Sequence, residues 1–126
     1  MKLDHVSLHI LNMQAAVEFY TDAFELKEVP PKVKLDVRWF EFSNGTTLHL
    51  IPAAPNDRPK DWGDHFAMSS PDLDAAMQRL RDRKIPFGTR FDPTDGNLHT
   101  RPDGVRQLFL IDPDNNLVEM KDEEPR

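Results

Sequence analysis

Residues Asp4 to Asp22 realign on Asp64 to Asp82 at a constant offset of 60, pairing His5 with His65, Ala15 with Ala75 and Ala16 with Ala76. A later stretch realigns at an offset of 70, pairing Trp39 with Phe109, Leu48 with Val118 and His49 with Glu119. An internal repeat constrains the architecture of a chain more tightly than local propensity does. Here it makes the chain two copies of one unit. It also makes His5, His49, His65 and Glu119 two symmetry-related pairs. The step from offset 60 to 70 places about ten extra residues between Arg90 and Gly104 of the second copy. That stretch is polar and turn-rich, as a loop or lid would be.

The alternation of Val6, Leu8 and Ile10 predicts a strand over 3–10 with His5, Ser7 and His9 on its other face. Asn12 is an expected helix cap, and Met13, Ala16, Val17, Tyr20 and Phe24 follow at helical spacing. Leu26–Val29, Val37–Phe42 and Thr46–Ile51 read as three strands, the last two joined at Ser43-Asn44-Gly45. The second copy repeats this grammar. Asp64–Ser69 is a strand, Asp72 caps a helix with Leu73, Ala76, Met77 and Leu80 on its apolar face, and Ile85–Thr89, Val105–Ile111 and Leu117–Lys121 are strands. The last two turn at Asp112-Pro113-Asp114-Asn115-Asn116. The expected class is therefore α+β, with two βαβββ modules over 1–52 and 63–126, joined by a Pro-, Asp- and Lys-rich linker over 53–62. Pairing the modules would curve their sheets around a shared cleft, and the matched strands would bring His5, His49, His65 and Glu119 to its face.

Composition narrows the function. The chain has 126 residues, 38% hydrophobic and 30% charged, with a net charge of −6 and no basic block, which argues for a globular protein without a nucleic-acid partner. It has no cysteine, so disulfides, thiolate nucleophiles and zinc-thiolate sites are excluded and His, Asp and Glu must carry any metal chemistry. Neither an apolar leader at the N-terminus nor a run of membrane-spanning length is present, so a cytoplasmic protein acting on a small molecule, with no membrane partner, is expected.

The runs Asp4-His5-Val6-Ser7-Leu8, Glu18-Phe19-Tyr20-Thr21-Asp22 and Gly63-Asp64-His65-Phe66-Ala67, and above all the closing Phe109-Leu110-Ile111-Asp112-Pro113-Asp114-Asn115-Asn116-Leu117-Val118-Glu119-Met120, resemble the vicinal oxygen chelate superfamily over nearly the whole chain. That superfamily includes glyoxalase I, fosfomycin- and bleomycin-resistance proteins and extradiol dioxygenases. The resemblance implies a paired βαβββ fold with a divalent metal held at His5, His49, His65 and Glu119, closest in flavour to glyoxalase-I-like proteins with three histidines and one glutamate. Glyoxalase I enzymes generally carry a glutamate where this chain has His49, and often an arginine where it has His9. Glu119 is then the one family-matched carboxylate left to act as catalytic base.

Imidazole and carboxylate together suit zinc, nickel, iron, cobalt or manganese. Four protein ligands leave room on a five- or six-coordinate ion for a substrate with two adjacent oxygens, whose developing negative charge the ion would stabilise. A metal-dependent lyase or isomerase is the leading expectation. An extradiol-type dioxygenase and a non-catalytic ligand-binding protein of the bleomycin-resistance kind are the alternatives. His9 is expected to line the cavity, Arg38 and Arg106 are candidates for binding an anionic substrate, and His99 reads as a solvated loop residue. Duplicated modules of this kind pair within a chain or between chains, and a homodimer is expected.

Overall fold

The computed structural model describes residues 1–53 and 63–125, so the expected linker lies, apart from Ala53, outside the described residues. Two compact units are present, Met1–Pro59 and Lys60–Arg126. The first contains β1 (His5–Ile10), α1 (Met13–Phe24), β2 (Lys27–Val29), β3 (Arg38–Glu41) and β4 (Thr47–Pro52). The second contains β5 (His65–Ser70), α2 (Leu73–Asp82), β6 (His99–Thr100), β7 (Arg106–Ile111) and β8 (Leu117–Asp122). Each unit forms one four-stranded mixed sheet, ordered β1-β4-β3-β2 in the first and β5-β8-β7-β6 in the second.

Strand register shows how faithfully the copies match. β1 runs parallel to β4 with Ser7 opposite His49, and β5 runs parallel to β8 with Ala67 opposite Glu119. Trp39 pairs with His49 across β3 and β4, and Phe109 pairs with Glu119 across β7 and β8. Both offsets read from the sequence are therefore offsets in register. A slip of one residue would turn every side chain of a strand to the other face, so this agreement places the matched residues on matched faces.

The helices start where the sequence expects. The Asn12 side chain accepts the Ala15 N–H at 3.1 Å, and the Asp72 side chain accepts the Ala75 N–H at 3.0 Å. Each side chain thereby satisfies an N–H that the first helical turn leaves unpaired. α2 buries Leu73, Ala76, Met77 and Leu80, all four expected positions, and α1 buries Ala16, Tyr20 and Ala23. The helix α1 packs on β4 and α2 on β8. The apolar strand positions Ile10, Phe40, Leu48 and Leu50 form the core of the first unit, and Leu108, Leu110, Val118 and Met120 that of the second. Burying one such side chain contributes about 1.5–3 kcal/mol, so these helix-facing sides hold each unit together. The opposite faces are left to carry chemistry.

The two late hairpins turn alike. Phe42 and Thr46 flank three residues ending in Gly45 (φ 84°), and Asp112 and Asn116 flank three ending in Asn115 (φ 65°). The left-handed residue is the one that a three-residue hairpin loop requires. Asp112 fastens the second loop by accepting the N–H groups of Asp114 and Asn116 at 2.9 and 2.8 Å.

One expected strand does not form. Ile85–Thr89 makes only a single bridge, Gly88 with Phe109, whose N–H groups and carbonyls exchange bonds of 3.0 and 2.8 Å. The same register sets Pro86 opposite Ile111, and proline has no N–H to extend the ladder. Instead the extra segment, expected as a loop or lid, supplies β6, which pairs His99 with Gln107 and Thr100 with Arg106. Two short pieces thus cover the edge of β7. Among the described residues no helix is long and apolar enough to cross a membrane.

Candidate metal centre

In the first unit, alternation along the strands puts His5, Ser7 and His9 of β1 on the same face as Thr47 and His49 of β4 and Trp39 of β3. Three rings stack across these strands. Trp39 and His49 lie with centroids 4.0 Å apart and planes 3° from parallel, and His49 and His5 follow at 4.2 Å and 11°. Asp4 Oδ2 lies 2.8 Å from His5 Nδ1, which places the ring proton on Nδ1 and leaves Nε2 as the ligand nitrogen. Contact with His5 also holds the Asp4 carboxyl below its ordinary value. His49 Nε2 lies 2.8 Å from the Thr47 hydroxyl. Burial, and then the neighbouring His5, push the His49 imidazole below its ordinary value, favouring the neutral form that a metal requires.

In the second unit the corresponding face carries His65, Glu119, Phe109 and Gln107. His65 Nε2 lies 3.2 Å from Glu119 Oε2, and the Phe109 ring stands edge-on to His65 with centroids 5.7 Å apart. Gln107 Nε2 donates to Glu119 Oε1 at 2.6 Å, and His99 Nδ1 lies 2.9 Å from Gln107 Oε1. Sequence reasoning missed Gln107 and read His99 as merely solvated. For Gln107 a signal existed, since it alternates in phase with Phe109. His99 reaches this face through β6, the short arm of a hairpin whose Pro102-Asp103-Gly104 turn was the one local signal for it.

Arg38 and Arg106 do not join these faces. Arg38 alternates out of phase with Trp39 and shares the face of Phe40, where Glu28 takes its guanidinium through both carboxylate oxygens. That pairing holds Arg38 above and Glu28 below their ordinary values. Arg106 lies on the helix side, its Nε and Nη2 on Asp122 at 2.9 and 3.0 Å and its Nη1 on Asp74 of α2 at 2.8 Å. Both guanidiniums of these substrate-binding candidates are held in ion pairs. His9 is exposed on the His5 side, opposite Ile51.

Among the described residues no group of three or more His, Asp or Glu side chains is gathered as a complete metal centre, and the expected ligands occur as one pair in each unit. The donor chemistry fits a divalent ion. Two donors each about 2.0–2.2 Å from one ion stand about 3.0–3.5 Å apart, and the His65–Glu119 separation of 3.2 Å falls within that span. The first pair is less ready. Stacked rings hold their lone pairs in nearly parallel planes, so His5 and His49 both meet one ion in plane only after a ring turns.

A family model described as Glyoxalase/Bleomycin resistance protein/Dioxygenase superfamily matches residues 2–120. Comparison with curated proteins gives no match. Among solved structures, a lactoylglutathione lyase from Agrobacterium tumefaciens is 24% identical with a TM-score of 0.71, covering 97% of this chain and 93% of that one. The oxidase ChaP-H2 is 20% identical with a TM-score of 0.79, covering 99% and 95%. An antibiotic-binding protein, TnmS3, from a Streptomyces species is 20% identical with a TM-score of 0.72, covering 100% and 97%. These three share a fold and carry three different activities in their names, so they fix architecture and leave the reaction to be argued from residues. The family match over 2–120, together with paired βαβββ registers that repeat at both offsets, establishes that the chain belongs to the glyoxalase/bleomycin resistance protein/dioxygenase superfamily.

Proposed function

We propose that this protein is a divalent-metal-dependent lyase or isomerase of the glyoxalase-I-like kind, with His5, His49, His65 and Glu119 as ligands and a small oxygenated substrate. The observation that carries the reading is the His65–Glu119 pair, set at a metal-ligand separation on the face that the repeat matches to His5 and His49. A bound ion would polarise two adjacent substrate oxygens as a Lewis acid. Glu119 would serve as the base by loosening from the ion when substrate arrives, and His9 is the cavity-lining candidate. We further read the modules as spanning 1–52 and 63–126, and the protein as a cytoplasmic homodimer.

A second reading, a binding protein that sequesters its ligand without turnover, draws on the Trp39–His49–His5 stack, whose end ring, His5, is partly exposed and would let an aromatic ligand extend it. One assay series separates the readings. Protein reconstituted singly with zinc, nickel, cobalt, manganese or ferrous iron is offered methylglyoxal with a thiol, then a catechol with oxygen monitored. Adduct isomerisation that a chelator abolishes and Glu119→Gln removes is expected. Catechol-dependent oxygen uptake would replace the lyase reading with a dioxygenase. Metal-free protein that binds an aromatic ligand, with no turnover under any metal, would replace it with the binding protein.

A further inference from the structure

Lys121 lies two residues beyond Glu119 on β8, so strand alternation sets both on one face of the second unit, away from Met120 and Asp122. It is half-buried, and its Nζ donates to the backbone carbonyl of Asp122 at 2.6 Å. Among the described residues no carboxylate pairs with it. A carbonyl takes one of the three ammonium donors and leaves the charge unneutralised. The neighbouring arginines of this unit are occupied, Arg106 by Asp122 and Asp74 and Arg101 by Asp103.

The strands beside Lys121 leave space for a ligand. On β5, Ala67 stands opposite Glu119 and Ser69 opposite Lys121, both exposed and both small. The Ser69 hydroxyl makes no hydrogen bond among the described residues. On β7, Gln107 is opposite Lys121, but its amide is taken up by His99 and Glu119. A carboxylate above Ser69 therefore meets a hydroxyl from one strand and an ammonium from the next. The first copy has neither donor, because the counterparts of Lys121 and Ser69 are Ile51 and His9, which oppose each other in the same register. The pair belongs to the Glu-bearing unit alone.

We infer that Lys121, aided by Ser69, is a specificity-determining residue that takes a carboxylate of the ligand through charge-assisted hydrogen bonds, one step along the sheet from Glu119. Two residues of strand span about 6.6 Å, so the ligand class is a small oxo acid with a second carboxylate a short carbon chain from its reacting end. The reacting end at Glu119 rests on the metal-dependent reading above. The anionic end rests on Lys121 and Ser69.

The test titrates the full chain by calorimetry with 2-oxoglutarate and with 2-oxoglutaramate, in which the distal carboxylate is a neutral amide, each with and without manganese. Wild-type protein is expected to bind the dicarboxylate at least about tenfold more tightly than the amide. Lys121→Met is expected to bind the two alike, Lys121→Arg to keep most of the preference, and Ser69→Ala to keep part of it. If Lys121→Met does not fold, as judged by circular dichroism, the reduced preference of Ser69→Ala carries the test, and an undiminished one overturns the inference. A folded Lys121→Met that keeps the wild-type preference also overturns it, as does wild-type protein that shows no preference or binds neither probe. Manganese that strengthens neither probe overturns the metal-dependent reading alone, since a preference lost in Lys121→Met still supports the anion site.

Discussion

The indole of Trp39 and the imidazole of His49, directly opposed on β3 and β4, lie 4.0 Å apart and 3° from parallel. Trp39 is therefore an internal reporter of whatever happens to His49. Ligation that draws the His49 ring away from the stack will change Trp39 emission. In a Trp62→Phe background, zinc is expected to produce a saturable change that a chelator reverses and that His49→Ala removes. Emission that ignores zinc while zinc binds would show that His49 stays stacked.

Acid should reveal His49 in the metal-free protein. Its folded value is lowered below 6.5, chiefly by burial and then by His5, with Asp4 acting in the opposite sense. The unfolded chain thus binds the proton more readily, and the neutral ring's contribution to stability is fully present above pH 6.5 and lost as pH falls through the folded value. An imidazole titration followed by nuclear magnetic resonance should give a midpoint below 6.5, and His5→Ala should raise it. A midpoint at or above 6.5 contradicts the assignment.

Arg106 holds the sheet of the second unit to its helix. Replacing it with Met leaves the Asp122 carboxylate, 6% exposed, without its bidentate partner. Loss of one partner of a buried pair costs about 3–5 kcal/mol, so Arg106→Met should lower the denaturation midpoint strongly in urea unfolding. Metal affinity of the folded fraction should stay at the wild-type value. A stable Arg106→Met protein with weakened substrate binding would return Arg106 to the site.

Gly88 tests the edge of β7 in a different way. A Cβ there would meet the Asp92 carbonyl, and would also come within 2.7 Å of the Asp95 backbone nitrogen. Because those atoms belong to the backbone and cannot swing aside, Gly88→Ala should cost about 1–3 kcal/mol. Thermal unfolding measures it, and a variant as stable as wild type would show that the 88–97 loop is loosely held.

Much of this was legible beforehand because a repeat reports register directly. The offsets tied Trp39 to Phe109 and His49 to Glu119 before any strand was seen, and strand pairing reproduced both ties. Asn12 and Asp72 announced their helices because capping is a local bond. The misreadings have separate physical causes. Pro86 silenced a strand that the repeat had suggested, and β6 is a two-residue arm of the hairpin closed by the Arg101–Val105 turn, too short to leave a periodic trace. The faces of Arg38 and Arg106 follow from the repeat, since Arg38 stands out of phase with Trp39, which pairs with His49, and Arg106 out of phase with Phe109, which pairs with Glu119. Only the bonds of Glu28, Asp74 and Asp122 to them lay beyond sequence.

The central proposal is that His5, His49, His65 and Glu119 are metal ligands, and isothermal titration of the metal-free protein with a divalent ion tests it most directly. One ion per chain is predicted, with His5→Ala, His49→Ala, His65→Ala and Glu119→Gln each weakening that same binding event by at least about tenfold. Two independent weak sites, each sensitive only to the residues of its own unit, or an ion that binds regardless of all four substitutions, would contradict it.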